Sequence, residues 1–329
     1  MIVTLTPNPS VDRTIELVSL VRGAVNRATG GRVDAGGKGV NVSRALAGHG
    51  LKTTAVVPIG GPDGHVLAEL LAGSGVDVRR VPVAGGVRVN ITVAEPDGTT
   101  TKLNEPGPTL TAAEVAELSA AVLDVATPGS WVVCCGSLPG GVDPGFYAGL
   151  VAPLHAHGVQ VAVDTSGPAL AAALSAEGTA ALPDLVKPNR EELEEAVGHP
   201  LHTLGDVVGA ARELRSRGVG VVLVSLGRDG AVLVGGGEAV HGSSQVARPL
   251  STVGAGDAFL AGFLSQLPEG GPPIADLPPE RQVAALAEAL RWGGAATGLP
   301  GSRMPGPDDV AGIPVTLHEE IDQSRRLEA

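Results

Sequence analysis

Ser251-Thr-Val-Gly-Ala-Gly-Asp-Ala-Phe-Leu-Ala-Gly262 joins a small turn, Gly254-Ala255-Gly256, to an acid, Asp257, and then to apolar residues at helical spacing. Phe259 pairs with Phe263, and Leu260 with Leu264 and Leu267. The pattern predicts a loop opening into a buried helix. With no side chains at Gly254 and Gly256, the N–H groups of the turn and the partial positive charge of the helix N-terminus form a pocket for an anion. An acid in such a place repels a phosphate. It makes chemical sense if Asp257 takes a proton from an alcohol while the N–H groups hold the phosphoryl group under attack. Taken alone, the tetrapeptide favours a plainer reading, a tight turn with Asp257 complementing the helix dipole. Other motifs shift that balance.

The chain has 329 residues, enough for one large α/β domain with an insertion or for two domains. Hydrophobic residues make up 43% but aromatic ones only 2%, so Val, Leu and Ala must fill the core and stacking platforms are scarce. A formal net charge of -12, with no long basic run, argues against nucleic acid as a partner. No run of residues approaches the roughly 20 apolar positions of a membrane span, and Met1-Ile-Val-Thr-Leu-Thr6 reads as a strand rather than a leader. Cys134 and Cys135 are adjacent and poorly placed to bridge each other, which suits a reducing, cytoplasmic setting.

Working outward, Ile2 to Thr6 reads as a strand closed by Pro7-Asn-Pro9, and 10–17 as a second strand with one wet face and Asp12 near its start. Asp34-Ala-Gly-Gly-Lys-Gly-Val-Asn41 runs into a helix. Its spacing fails the phosphate-loop pattern, since position 32 is Arg and position 39 is Gly, and neither glycine cluster fits the dinucleotide fingerprint. Val76 to Val83, Val87 to Ala94 and Thr99 to Leu103 alternate, so this island predicts a small separate sheet together with 11–17 and 22–34. Arg88 and Asn90 share one of its faces. From Thr111 onward helices and buried strands alternate, which predicts an α/β fold with a mostly parallel sheet. Its strands end in the turns 136–141, 164–167, 187–189 and 225–227, which a parallel sheet gathers along one edge.

Taken together, these motifs resemble those of the ribokinase-like (PfkB) carbohydrate kinases over nearly the whole chain. The resemblance rests on Thr6-Pro-Asn-Pro-Ser-Val-Asp12, Gly36-Gly-Lys-Gly-Val-Asn41, Asn104-Glu-Pro-Gly-Pro108, Gly136-Ser-Leu-Pro139, Lys187-Pro-Asn-Arg-Glu-Glu-Leu193, Thr252-Val-Gly-Ala-Gly-Asp257 and Leu299-Pro-Gly-Ser302. Each is weak alone; their order is specific. Within the family they are most similar to the branch acting on fructose 1-phosphate, with the tagatose-6-phosphate kinases next.

The resemblance implies a single three-layer α/β/α kinase domain with a β-sheet lid from about 11–34 and 76–104. It also implies ATP and Mg²⁺ as cofactors and phosphorylation of a sugar phosphate. Asp257 is then the base, and Gly254, Ala255 and Gly256 form the anion hole. The resemblance places substrate contacts at Asp12, Arg27, Gly37, Lys38, Asn41, Arg88, Asn90 and Ser137. It places ATP contacts at Lys187, Asn189, Ser225 and Gly227, and Mg²⁺, through water, at Glu192. Family lids pair between subunits, so a homodimer through the lid is expected. Cys135 and Ala258 depart from the pattern, both standing where Ser is common among relatives. Fructose 6-phosphate kinase activity, a sugar-phosphate sensor without turnover and a nicotinamide oxidoreductase stand as the other readings, the last weakened by the failed fingerprint.

Overall fold

The computed structural model describes residues 1–175, 181–318 and 320–328. Strand β1 (Ile2–Leu5) leads through a proline-bounded turn to β2 (Ser10–Glu16) and, after a long exposed connection, to β3 (Gly30–Gly36). Then come α1 (Lys38–Gly48), β4 (Thr53–Ile59), α2 (Gly61–Ala72) and β5 (Asp77–Pro82), followed by β6 (Arg88–Ala94) and β7 (Thr100–Asn104). Regular alternation follows with α3 (Ala112–Val125), β8 (Trp131–Cys135), α4 (Phe146–Ala156), β9 (Gln160–Asp164), α5 (Gly167–Ala173) and β10 (Leu185–Val186). Next are α6 (Arg190–Val197), α7 (Leu204–Arg217) and β11 (Val221–Ser225). The antiparallel β12 (Ala231–Val234) and β13 (Val240–Ser244) precede α8 (Ala255–Ser265), α9 (Pro279–Thr297), α10 (Pro307–Ala311) and β14 (Val315–His318).

Two sheets result. The larger runs β14-β13-β12-β11-β10-β9-β8-β1-β4-β5, parallel from β11 to β5 and antiparallel beyond β11; the smaller runs β3-β2-β6-β7. Alternate residues of the parallel strands feed opposite layers, as period-two side chains must. Val132, Cys134, Val161 and Val163 pack with α3, α4 and α7, whereas Trp131, Val133, Cys135 and Ala162 pack with α1, α8 and α9. Burial on both faces explains why these strands read as continuous apolar runs. Leu154 and Phe263 are fully buried, and cutting either to Ala would cost roughly 3–5 kcal/mol. Among the described residues no helix is long and apolar enough to cross a membrane.

One boundary of the expected lid is corrected. Strand β5, which carries most of the alternating stretch 76–83, belongs to the large sheet: it pairs in parallel with β4, Thr54 opposite Asp77. Strand, helix and strand from 53 to 82 form a βαβ crossover, and a crossover returns its second strand beside its first. Alternation alone could not tell which sheet the strand would join. The small sheet is built from β2, β3, β6 and β7.

Candidate active site

The carboxyl ends of β1, β8, β9, β10 and β11 lie along one edge of the large sheet because these strands are parallel. Against that edge stands the N-terminus of α8. Gly254 caps the helix at φ 76°, in the left-handed region that favours glycine. The N–H groups of Gly256 and Asp257, in the first turn of α8, have no backbone acceptor among the described residues. Ala255 differs: its N–H is directed at Thr252 O, 3.3 Å away, so its expected share of the anion hole is already partly taken up inside the turn.

Asp257 is 7% exposed. Asn41 Nδ2 donates to its Oδ2 at 2.8 Å, and Oδ1 has no partner among the described residues. Arg44 donates to Asn41 Oδ1 at 3.3 Å and to Ala35 O at 2.9 Å, which turns the amide so that its NH₂ faces Asp257. Burial and then the nearby Asp164 push Asp257 up to about 6, against the opposing pull of Asn41, Lys38 and Lys187. A carboxylate in that range accepts a proton near neutral pH better than a surface aspartate does.

Asp164, the last residue of β9, is the charged centre of the edge and was not among the residues expected from the sequence. It is 1% exposed; its Oδ1 lies 2.8 Å from Lys38 Nζ and 3.4 Å from Lys187 Nζ, and its Oδ2 is buried without a partner. Burial pushes the carboxyl upward, but Lys187 and Lys38 outweigh it and hold it below the ordinary carboxylate range. Burial likewise works against the Lys38 ammonium, yet Asp164 and Glu192 hold it above the ordinary lysine range. The one available signal was an acid closing an otherwise apolar strand, Val161-Ala-Val-Asp164.

Lys38 therefore differs from its expected place among the substrate contacts. Its ammonium turns toward Asp164 and lies 3.7 Å from Glu192 Oε1, on the side of the residues expected to hold ATP. Asn189 and Glu192 form a reciprocal cap on α6, with Asn189 Oδ1 accepting from Glu192 N at 2.7 Å and Glu192 Oε2 accepting from Asn189 N at 2.8 Å. Asn189 also bridges Ser225 across the neighbouring strand ends, and Gly227 opens the turn beyond β11 at φ 59°. Lys187 Nζ lies 3.5 Å from where a Cβ on Gly256 would be, so the expected ATP residues and the α8 turn share one crevice.

On the other side the small sheet supplies Asp12 and Asn90. Asp12 Oδ1 accepts from Ser10 Oγ at 2.7 Å and from Asn90 Nδ2 at 2.9 Å, and Gly36 lies so close that a Cβ would collide with this carboxylate. Arg88 donates to Glu105 O at 3.2 Å but its Nε is buried and unpartnered; burial lowers its pKa while Asp12 opposes the shift. A cavity of about 300 Å³ lies beside it, lined by Gly86, Arg88 and 105–108. Asn8 links this side to the main sheet by donating to Pro106 O at 3.1 Å and to Ser137 Oγ at 3.3 Å. Gly37, at φ 113°, turns the chain from β3 into α1.

Arg27 is not brought in. It lies in the exposed connection between β2 and β3 and has no hydrogen bond or ion pair among the described residues.

Among the described residues no group of three or more His, Cys, Asp or Glu side chains could hold a metal ion by itself. A divalent ion here would draw most of its ligands from nucleotide phosphates and water. The orphaned Asp164 Oδ2 and the part-buried Glu192 fit that arrangement.

The 1-phosphofructokinase of Rhodobacter capsulatus is 40% identical over 322 residues, which are 96% of this chain and 96% of that protein. The ATP-dependent 6-phosphofructokinase isozyme 2 of Escherichia coli K12 is 34% identical, over 95% and 97% of the two chains. A crystal structure of phosphofructokinase-2 from Escherichia coli in complex with substrates and products superposes with a TM-score of 0.84 at 33% identity, over 94% of this chain and 96% of that one. The family profile described as pfkB family carbohydrate kinase matches residues 5–277. With an α/β/α core, a small second sheet and an acid at an α8 glycine turn, the chain belongs to the pfkB family of carbohydrate kinases.

Proposed function

We propose that this chain transfers the terminal phosphoryl group of ATP to the 6-hydroxyl of D-fructose 1-phosphate, giving fructose 1,6-bisphosphate and ADP, with Mg²⁺. The observation that carries the reading is Asp257: a buried carboxylate with one free oxygen, titrating near 6, beside unpaired N–H groups at the α8 N-terminus. Asp257 Oδ1 takes the proton of the 6-hydroxyl as that oxygen forms its bond to the γ-phosphorus. The bond from that phosphorus to the β–γ bridging oxygen breaks, and ADP carries away the electron pair. Negative charge spreads over the phosphoryl oxygens in flight, where fixed N–H donors at Gly256 and Asp257 and the ammonium groups of Lys38 and Lys187 stabilise it.

Glu192, through water, and Asp164 Oδ2 are the residues that would hold Mg²⁺, which when bound neutralises charge on the nucleotide phosphates. Asp12 and Asn90 orient the sugar hydroxyls. Arg88, desolvated and with an unpaired Nε, takes the phosphate already on the sugar. The small sheet then acts as a lid that excludes water. Val18, Val25 and Leu103 on and beside it are 75%, 81% and 58% exposed, which fits a second copy of the chain docking there as a homodimer.

The similarity to 6-phosphofructokinase isozyme 2 favours one other acceptor, fructose 6-phosphate, with the sugar reversed in the same crevice. Initial rates on fructose 1-phosphate, fructose 6-phosphate and tagatose 6-phosphate separate them. We expect kcat/KM to be highest for fructose 1-phosphate. A preference for either 6-phosphate overturns the assignment, and tight binding of fructose 1-phosphate without ADP formation makes the chain a sensor.

A further inference from the structure

Beyond β14 the chain turns back as a strap, Asp322 to Glu328, whose contacts converge on the loops read above as the nucleotide side. Arg325 Nη2 donates to Asp229 Oδ1 at 3.0 Å and Glu328 N donates to Asp229 Oδ2 at 2.7 Å. Asp229 lies in the turn directly after Ser225 and Gly227, and its side chain is only 5% exposed. These two donors, both from the strap, are the only partners of its carboxylate among the described residues. Its backbone is tied to the core separately: Asp229 N donates to Leu226 O at 3.1 Å, and His241 Nε2 donates to Asp229 O at 2.7 Å.

The same strap reaches the second loop of that side. Arg190, the residue after Asn189, donates from Nη1 to Glu328 O at 3.1 Å. The strap itself is well anchored. Leu204 N donates to Arg325 O at 3.0 Å, Gly205 N to Gln323 O at 3.0 Å and Leu327 N to His202 O at 2.9 Å, and Leu327 packs on the main core. It thereby accepts N–H groups from the first turn of α7 that have no partner within the helix. The loops 187–192 and 225–229 also touch each other, through Ser225 N to Pro188 O at 3.0 Å. A nearly buried carboxylate stripped of one donor must find water or another partner, and its search for one loosens the turn that carries Gly227.

We propose that Arg325 and Asp229 are positioning residues for the donor nucleotide: the strap fixes the 225–229 turn, and with it the part of the site that grips ATP. The proposal rests on the reading of 187–192 and 225–227 as the ATP side. Its test measures ATP binding by titration calorimetry, KM for ATP and for fructose 1-phosphate, kcat, and thermal stability, in the full-length chain. Arg325→Ala should weaken ATP binding and raise its KM by about tenfold, leaving KM for the sugar phosphate and kcat within about twofold. Arg325→Lys, which keeps a cation in reach of Asp229, should recover most of the loss. Arg326→Ala serves as the control, because Arg326 follows Arg325 on the same strap, is exposed, and its side chain has no hydrogen bond or ion pair among the described residues. It should change nothing.

Unchanged ATP affinity in Arg325→Ala overturns the proposal. So does a loss that falls equally on both substrates in step with a drop in melting temperature and is not recovered by lysine. If the wild-type chain binds ATP but does not phosphorylate fructose 1-phosphate, the acceptor assignment fails and calorimetry alone judges the strap. If it does not bind ATP, both fail.

Discussion

The two sides of the crevice are made differently. The side carrying Asp164, Lys187, Asn189 and Ser225 hangs from strands buried on both faces, between two helical layers. The side carrying Asp12, Arg88 and Asn90 hangs from a four-stranded sheet that packs on α1 and α2 through Val11 and Ala35 at one end, while β7 is mostly exposed. Charges on the first side are paired within the protein: two lysines share one buried aspartate, and Glu192 lies 3.7 Å from one of them. On the second side Arg88 is left with an unpartnered nitrogen and a cavity beside it. The difference separates a rigid, pre-assembled half from a half that is completed by what it binds. On the proposed function, the sheet closing on the sugar phosphate would supply burial that the free sheet lacks.

The largest effect should come from the residue at the junction of the two halves. Asp257→Asn keeps the volume and removes the proton acceptor, so kcat should fall about a thousandfold while ATP still binds. Steady-state rates and calorimetry check this, and a variant with near-normal turnover removes Asp257 from the chemistry. In the wild type, kcat/KM should decline as pH drops through about 6, the point at which Asp257 takes up a proton. The stability sign runs the other way. Because the folded-state pKa lies above the unfolded one, the stabilising contribution of this carboxyl is complete below about 4 and is lost as pH rises through about 6. Asp257→Asn should therefore melt higher than wild type at pH 8.

Breaking the rigid half comes next. Asp164→Asn leaves Lys38 and Lys187 as neighbouring cations without their shared anion, which should cost roughly 3 kcal/mol in denaturant unfolding. It should also move the acid limb of the pH profile below about 6, since Asp164 raises the Asp257 pKa and the lysines lower it. An unmoved limb shows that the two carboxylates are not coupled. The completed half should respond more narrowly. Arg88→Ala should raise KM for the sugar phosphate about thirtyfold and leave KM for ATP unchanged. Asn90→Ala, which removes one of two donors to Asp12 Oδ1, should raise it only about threefold. If Arg88→Ala instead alters KM for ATP, the division into halves is wrong.

Much of this was legible in the chain. The 251–262 stretch announced its turn and buried helix, and the turns closing the apolar strands announced one edge. What escaped was long-range and electrostatic. Lys38 sits in a glycine-rich stretch that promised a ligand contact, and its actual partner, Asp164, is 126 positions away. Alternation predicted a strand near 76–83 but not its neighbour, which the crossover from β4 decided. Arg44, which no motif singled out, sets the orientation of the amide that holds Asp257.

By itself the sequence determined which segments become strands and helices, which faces are apolar and where backbone must turn without side chains. Those properties follow from periodicity and from steric limits acting over a few residues. Only the tertiary structure decided which charges share a crevice, which aspartate titrates near 6 and which sheet each strand joins. Such outcomes depend on distances between residues far apart in the chain and on water being removed from between them, and no local pattern encodes either.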